Sequence, residues 1–100
     1  MIKHIVMWTL KTDSDKGTPA ENAAAMKEKL EALVGKIPQI RELEVGVEVF
    51  ESAPQTDAIL YSVFDSREDL KAYATHPLHL EVVEFVKAVA AERRVVDYEI

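Results

Sequence analysis

Apolar residues recur along the chain with two different spacings, which separate predicted strands from predicted helices. Residues 2–10 are rich in β-branched and aromatic types without glycine or proline, so they predict a β-strand. The polar residues 11–18 predict a loop. Thr18 and Pro19 are typical of an N-cap and a first helical residue. Apolar residues then recur at intervals of three and four, as on one face of a helix that Gly35 and Pro38 end: Ala23, Met26, Leu30, Leu33, Val34 and Ile37.

The middle of the chain predicts two further strands joined by a loop. Residues 40–50 predict a strand with one face against a core, because within them four apolar residues recur at every second position: Leu43, Val45, Val47 and Val49. Residues 51–57 are mostly polar and contain Pro54, so we expect a hairpin loop. Residues 58–64 are apolar at nearly every position and predict a strand that is buried on both faces.

The last third of the chain predicts a broken helix and a closing strand. Ser66 and Asp69 form a variant of the capping box and open a short helix, which Pro77 interrupts. A second long helix follows to about residue 91, with its apolar residues on one face: Leu78, Val82, Phe85, Val86 and Val89. Residues 93–100 predict the closing strand.

The order β-α-β-β-α-β predicts a ferredoxin-like fold of the α+β class, a four-stranded antiparallel sheet with helices on one face. We expect residues 1–100 to form one domain, because a chain of this length typically holds one core. The first strand offers apolar residues to both faces of the sheet. Leaving Trp8, Leu60 and Phe64 in water would be costly, so we expect a homodimer in which a second copy of the sheet covers them.

Composition and charge narrow the classes of partner. The chain is 48% hydrophobic and 30% charged, carries a net charge of −6 and has no cysteine. An acidic surface without a basic stripe argues against nucleic-acid binding. No apolar run is long enough for a membrane span or a signal peptide, so we expect a cytoplasmic protein without membrane contact.

Three segments of the sequence resemble one known family. They are residues 1–11 (MIKHIVMWTLK), residues 73–79 (YATHPLH) and residues 95–99 (VVDYE). Together they resemble the opening strand, the Y-x-x-H-P-x-H segment and the closing strand of the stress-responsive dimeric α/β barrel (Dabb) family. The resemblance implies a ferredoxin-like protomer that pairs with its mate into a dimeric α/β barrel, with a cavity in each half.

The resemblance also suggests candidate catalytic residues. A plant member of the family, olivetolic acid cyclase, uses the tyrosine and last histidine of the motif, which correspond to Tyr73 and His79. A base and a hydrogen-bond donor suffice for closing a poly-β-keto chain, so no cofactor or metal is implied. His4 matches a further cavity histidine of that enzyme, whereas Ala58 replaces another. The predicted cavity or binding residues are His4, Val6, Trp8, Ala58 and Leu60.

The remaining histidines and arginines can be explained by local structural roles. His76 precedes a proline and is interpreted as a turn residue whose ring bonds nearby backbone. His79 lies near a helix N-terminus, where the helix dipole would keep its imidazole neutral. Arg93 and Arg94 could bind an anion, although salt bridges with Glu92 and Asp97 would also account for them.

Three functions therefore stay open at the level of the sequence. The first is the binding of a small hydrophobic, aromatic or polyketide-like molecule in the barrel cavity. The second is a cofactor-free cyclase, isomerase or lyase. The third is a cofactor-free monooxygenase, which rests on analogy of fold alone.

Overall fold

The computed structural model describes residues 1–100 and contains four strands and three helices. In chain order these are β1 (Ile2–Leu10), α1 (Pro19–Glu31), β2 (Glu42–Gly46), β3 (Ala58–Phe64), α2 (Arg67–Ala74), α3 (Pro77–Val89) and β4 (Ala90–Glu99). The strands form one antiparallel sheet in the order β2-β3-β1-β4. The predicted ferredoxin-like fold is therefore confirmed.

The helices pack on one face of this sheet, and the core lies between the two layers. Alternate residues of a strand point to opposite faces, so the even-numbered residues of β1 and β3 face the helices. Tyr73, Phe64 and Met26 are the largest side chains that are completely buried in this core. The core is therefore formed mainly by the helix-facing residues of the two central strands, β1 and β3, and by the helices above them.

The protein's own helices cover three residues that the sequence assigned to a dimer interface. Trp8, Leu60 and Phe64 are 5%, 2% and 0% exposed within one chain. The prediction that a second sheet must cover them is wrong, because their parity turns them toward the helices. No helix of the chain covers the opposite face of the sheet, and the apolar residues of that face are Ile5, Met7, Ile59, Tyr61, Val63, Val96 and Tyr98.

Helix α1 ends earlier than its apolar spacing indicates. The helix begins with the predicted cap, since the Thr18 hydroxyl accepts from the Glu21 backbone N–H and the Glu21 carboxylate accepts from the Thr18 N–H. It ends at Glu31, and Leu33 and Ile37 are buried in a series of tight turns. Turns of three or four residues repeat at nearly the helical period, so periodicity alone could not locate the end.

Two strand boundaries also differ from the predictions. Strand β2 covers only Glu42–Gly46 within the predicted 40–50, because its last pairing with β3 joins Gly46 and Ile59. Strand β4 begins at Ala90, because a register shift in β1 lets Leu10 pair with Ala90. The helix before it therefore ends two residues sooner than expected. None of the three helices is long and apolar enough to cross a membrane.

Candidate functional site

A cavity of about 330 Å³ lies between the sheet and the helical layer. Strand β1 contributes His4, Val6 and Trp8, because residues two apart share a face of the sheet. Helix α3 contributes residues spaced by three, four and seven, which share a face of a helix. The complete lining is His4, Val6, Trp8, Leu30, Leu60, Tyr73, Ala74, His79, Val82, Val83, Val86, Lys87 and Arg93.

Tyr73 places a buried hydroxyl group in this cavity. Its side chain is on α2 and is 1% exposed, and its hydroxyl has no hydrogen-bond partner in the protein. Burial raises the pKa of Tyr73 well above its usual value, so the hydroxyl keeps its proton. An unpartnered buried hydroxyl is costly, and a ligand oxygen would satisfy it.

His79 packs directly against Tyr73. The two ring centroids are 4.3 Å apart. The Nδ1–H of His79 donates to the Ala74 carbonyl oxygen at 3.0 Å, which leaves Nε2 as the free acceptor of the neutral ring. Burial is the main cause that lowers the pKa of His79, and the charges of His4, Arg93 and His76 lower it further. The sequence attributed the neutral state of this ring to the helix dipole, whereas the main cause in the structure is burial.

The lowered pKa of His79 makes the stability of the fold sensitive to pH. Its unfolded-state value is 6.5 and its folded-state value is lower, so the unfolded chain binds the proton more readily. We expect the contribution of His79 to be fully present above pH 6.5 and to be lost as the pH falls toward its folded-state pKa. Titration of the His79 ring signals by NMR measures the pKa in the folded protein. Chemical unfolding at a series of pH values from about 5 to about 8 measures how the free energy of unfolding changes. A His79 signal that titrates at or above 6.5 would contradict the prediction.

His4 is paired with a carboxylate from the neighbouring strand. The register of β1 and β4 places Asp97 opposite His4, and Asp97 Oδ1 contacts His4 Nδ1. This pairing orients the His4 ring, which also lies edge-on to Tyr73 with ring centroids 6.3 Å apart. Asp97 had no predicted role in the site, because only strand register brings it beside His4.

The structure brings most of the predicted site residues together. His4, Val6, Trp8, Leu60, Tyr73 and His79 all line the cavity, whereas Ala58 lies outside it. Ala58 is fully buried and pairs with Trp8 across β1 and β3. His76 also lies outside, because its Nδ1 accepts the Leu78 backbone N–H at 3.1 Å and caps α3. The indole N–H of Trp8 is a second buried donor without a partner.

Comparison with known proteins gives one family and several solved structures. The model of the stress responsive A/B barrel domain matches residues 2–100. A dimeric protein of unknown function and ferredoxin-like fold from Bacteroides fragilis is 36% identical, with a TM-score of 0.86 over 99% of this chain and 95% of that one. No curated protein sequence matches.

Two further structures share the fold at lower identity. A dimeric ferredoxin-like protein of unknown function from Thermobifida fusca is 22% identical, with a TM-score of 0.82 over 99% of this chain and 90% of that one. A hydroxynitrile lyase from Passiflora edulis is 21% identical, with a TM-score of 0.80 over 99% and 92% of the two chains. At these identities the likeness concerns the fold alone.

Proposed function

The chain belongs to the stress responsive A/B barrel domain family, and from this premise we propose that it binds a small, mainly apolar molecule in the cavity between its sheet and its helices. The observation that carries the proposal is the composition of the cavity lining. Nine of the 13 lining residues are hydrophobic, and the buried donors of Tyr73 and Trp8 have no partner among them. Ligand sites typically combine an apolar wall with a few such polar groups.

The size of the cavity limits the class of ligand. Its volume of about 330 Å³ is near the lower end of the range of roughly 300–1,000 Å³ for ligand pockets. A compound with one aromatic ring and one oxygen acceptor fits this description. The ring would pack against valines of α3, and the oxygen would accept from Tyr73 or Trp8.

Filling part of the cavity is expected to weaken ligand binding. Val83 lines the cavity and is half-buried, so Val83→Phe would occupy part of the space without deleting a polar group. We expect acetophenone to bind the unaltered protein with a Kd of about millimolar, and Val83→Phe to weaken binding at least about tenfold. Saturation-transfer NMR measures both affinities.

The matched control is Val34→Phe, because Val34 is an exposed valine outside the cavity. Binding should be unchanged in this variant. Equal affinity of acetophenone for the Val83 and Val34 variants would overturn the assignment of the ligand to this cavity.

We further propose that two protomers pair through the open face of the sheet. Tyr61, Val96 and Tyr98 give this face an apolar character, and Val96 and Tyr98 are 50% and 46% exposed in the single chain. The relatives from Bacteroides fragilis and Thermobifida fusca are dimeric. A two-fold copy of the same face would remove this apolar surface from water.

A second candidate function is cofactor-free proton transfer in the same cavity. It is favoured by the neutral His79 ring with a free Nε2 beside a protonated Tyr73 hydroxyl. The imidazole would remove a proton from carbon, and the hydroxyl would stabilise the oxygen on which negative charge develops. A small cyclase, isomerase or lyase needs these two groups and no bound cofactor.

A further inference from the structure

The cavity carries positive charge, although the protein as a whole is acidic. The net charge of the chain is −6, and acidic residues outnumber basic ones by 18 to 12. None of the 13 residues that line the cavity is an aspartate or a glutamate, while Lys87 and Arg93 are both among them. The local charge is therefore opposite in sign to the average surface.

Neither of these two cations is neutralised within the protein. Arg94 pairs with Glu92 at 3.5 Å, and Asp97 pairs with His4. The salt bridges that the sequence suggested therefore account for Arg94 and leave Arg93 without a carboxylate. Lys87 likewise takes part in no ion pair.

Arg93 lies on the face of the sheet that lines the cavity, so its charge is close to the cavity interior. Arg93 pairs with Trp8 in the register of β1 and β4, so its side chain starts on the face of the sheet that lines the cavity. Its charge also contributes to the lowered pKa of His79. Both cations are exposed residues, so they lie at the mouth and leave the apolar interior free.

We propose that the ligand of this cavity is a small carboxylic acid, with its apolar body inside and its carboxylate between Arg93 and Lys87 at the mouth. The inference rests on the cavity function proposed above and names its ligand class. A planar carboxylate accepts two parallel hydrogen bonds from a guanidinium group, and an ammonium group adds a further donor. The apolar lining accommodates the rest of the molecule, on which a further oxygen would accept from the Tyr73 or Trp8 donor inside the cavity.

The test compares phenylacetate with phenylacetamide, which share one ring and differ in charge. Isothermal titration calorimetry with the full chain gives both affinities. We expect phenylacetate to bind about tenfold more tightly than the amide, the usual scale for a charge-assisted hydrogen bond at a partly exposed site. The preference should fall as salt is added, because the two cations are exposed.

Arg93→Gln is expected to reduce this preference, because it should weaken the binding of phenylacetate much more than the binding of the amide, while Lys87 retains part of the preference. The matched control is Arg94→Gln, which removes the same charge from the adjacent residue on the opposite face of β4. This control should keep the full preference for phenylacetate. Circular dichroism and size-exclusion chromatography verify that both variants fold and assemble as the parent does.

The possible results separate the inference from the function on which it rests. Equal binding of the acid and the amide, or equal loss in both arginine variants, would overturn the carboxylate inference while the cavity function stands. Absence of binding by both compounds at millimolar concentration would overturn the cavity function together with the inference.

Discussion

Replacing His79 with asparagine is expected to slow the base-catalysed ring opening of 5-nitrobenzisoxazole in the cavity by about 100- to 10,000-fold. In this reaction a base removes the proton from the ring carbon, the C–H electron pair completes a nitrile, and the N–O bond breaks to give a phenolate. His79 Nε2 would take the proton, and the Tyr73 hydroxyl would donate to the developing phenolate oxygen. The reaction needs no cofactor and depends on proton removal from carbon, so it tests the proton-transfer function whatever the natural substrate is.

Asparagine is chosen because its amide nitrogen can occupy the position of Nδ1 in histidine. It can therefore keep the hydrogen bond to the Ala74 carbonyl oxygen while it removes Nε2. The control is His76→Asn, in which the same change is made at a histidine outside the cavity. Asparagine is also a good N-cap residue, so α3 should keep its start.

Absorbance of the phenolate product measures the rate for both variants. The parent protein and the His76 variant should react faster than an equal concentration of free imidazole. A parent rate no higher than that of imidazole, or equal rates for the two variants, would reject His79 as the base and leave a binding protein.

Placing a charge on the open face of the sheet is expected to convert the dimer into monomers. Val96 is 50% exposed in the protomer and lies opposite Ile5 on this face. Val96→Asp would bury a carboxylate in the interface, and two-fold symmetry would introduce it twice. The expected cost is about 3 kcal/mol or more, which weakens dimerisation more than about a hundredfold. Analytical ultracentrifugation over a concentration series measures the change.

A closely matched control is available elsewhere in the chain. Val34 is 49% exposed and lies in the turns after α1, away from the sheet, so Val34→Asp makes the same change at the same exposure. This variant should dimerise as the parent does. Dimerisation of the Val96 variant with unchanged affinity would place the interface on another surface, and a parent that is monomeric would refute the homodimer.

The sequence predicts the fold well because its elements are marked by local signals. The Thr18 cap, the alternation around Val45 and the break at Pro77 each depend on a few neighbouring residues. Sequence order then limits how such elements can pack, which gives the ferredoxin-like arrangement. The end of α1 differs from the prediction because the tight turns after Glu31 repeat at nearly the spacing of a helix.

The candidate site was only partly predictable. Tyr73, His79 and His4 were identified through resemblance to a family, while their environment depends on distant parts of the chain. Asp97 lies beside His4 only because β4 pairs with β1 in one register. The same register leaves Arg93 at the cavity mouth without a carboxylate partner.

The sequence by itself determined the order of the elements, their approximate bounds and the presence of two apolar faces in the sheet. Periodicity contains that information, because a side chain's face follows from its position within a strand or helix. Only the tertiary structure decided which face the helices cover, so that Trp8 and Leu60 line a cavity within the protomer while Val96 stays on the open face. The physical reason is that both faces are apolar in sequence, and only the handed packing of the helices on the sheet distinguishes them.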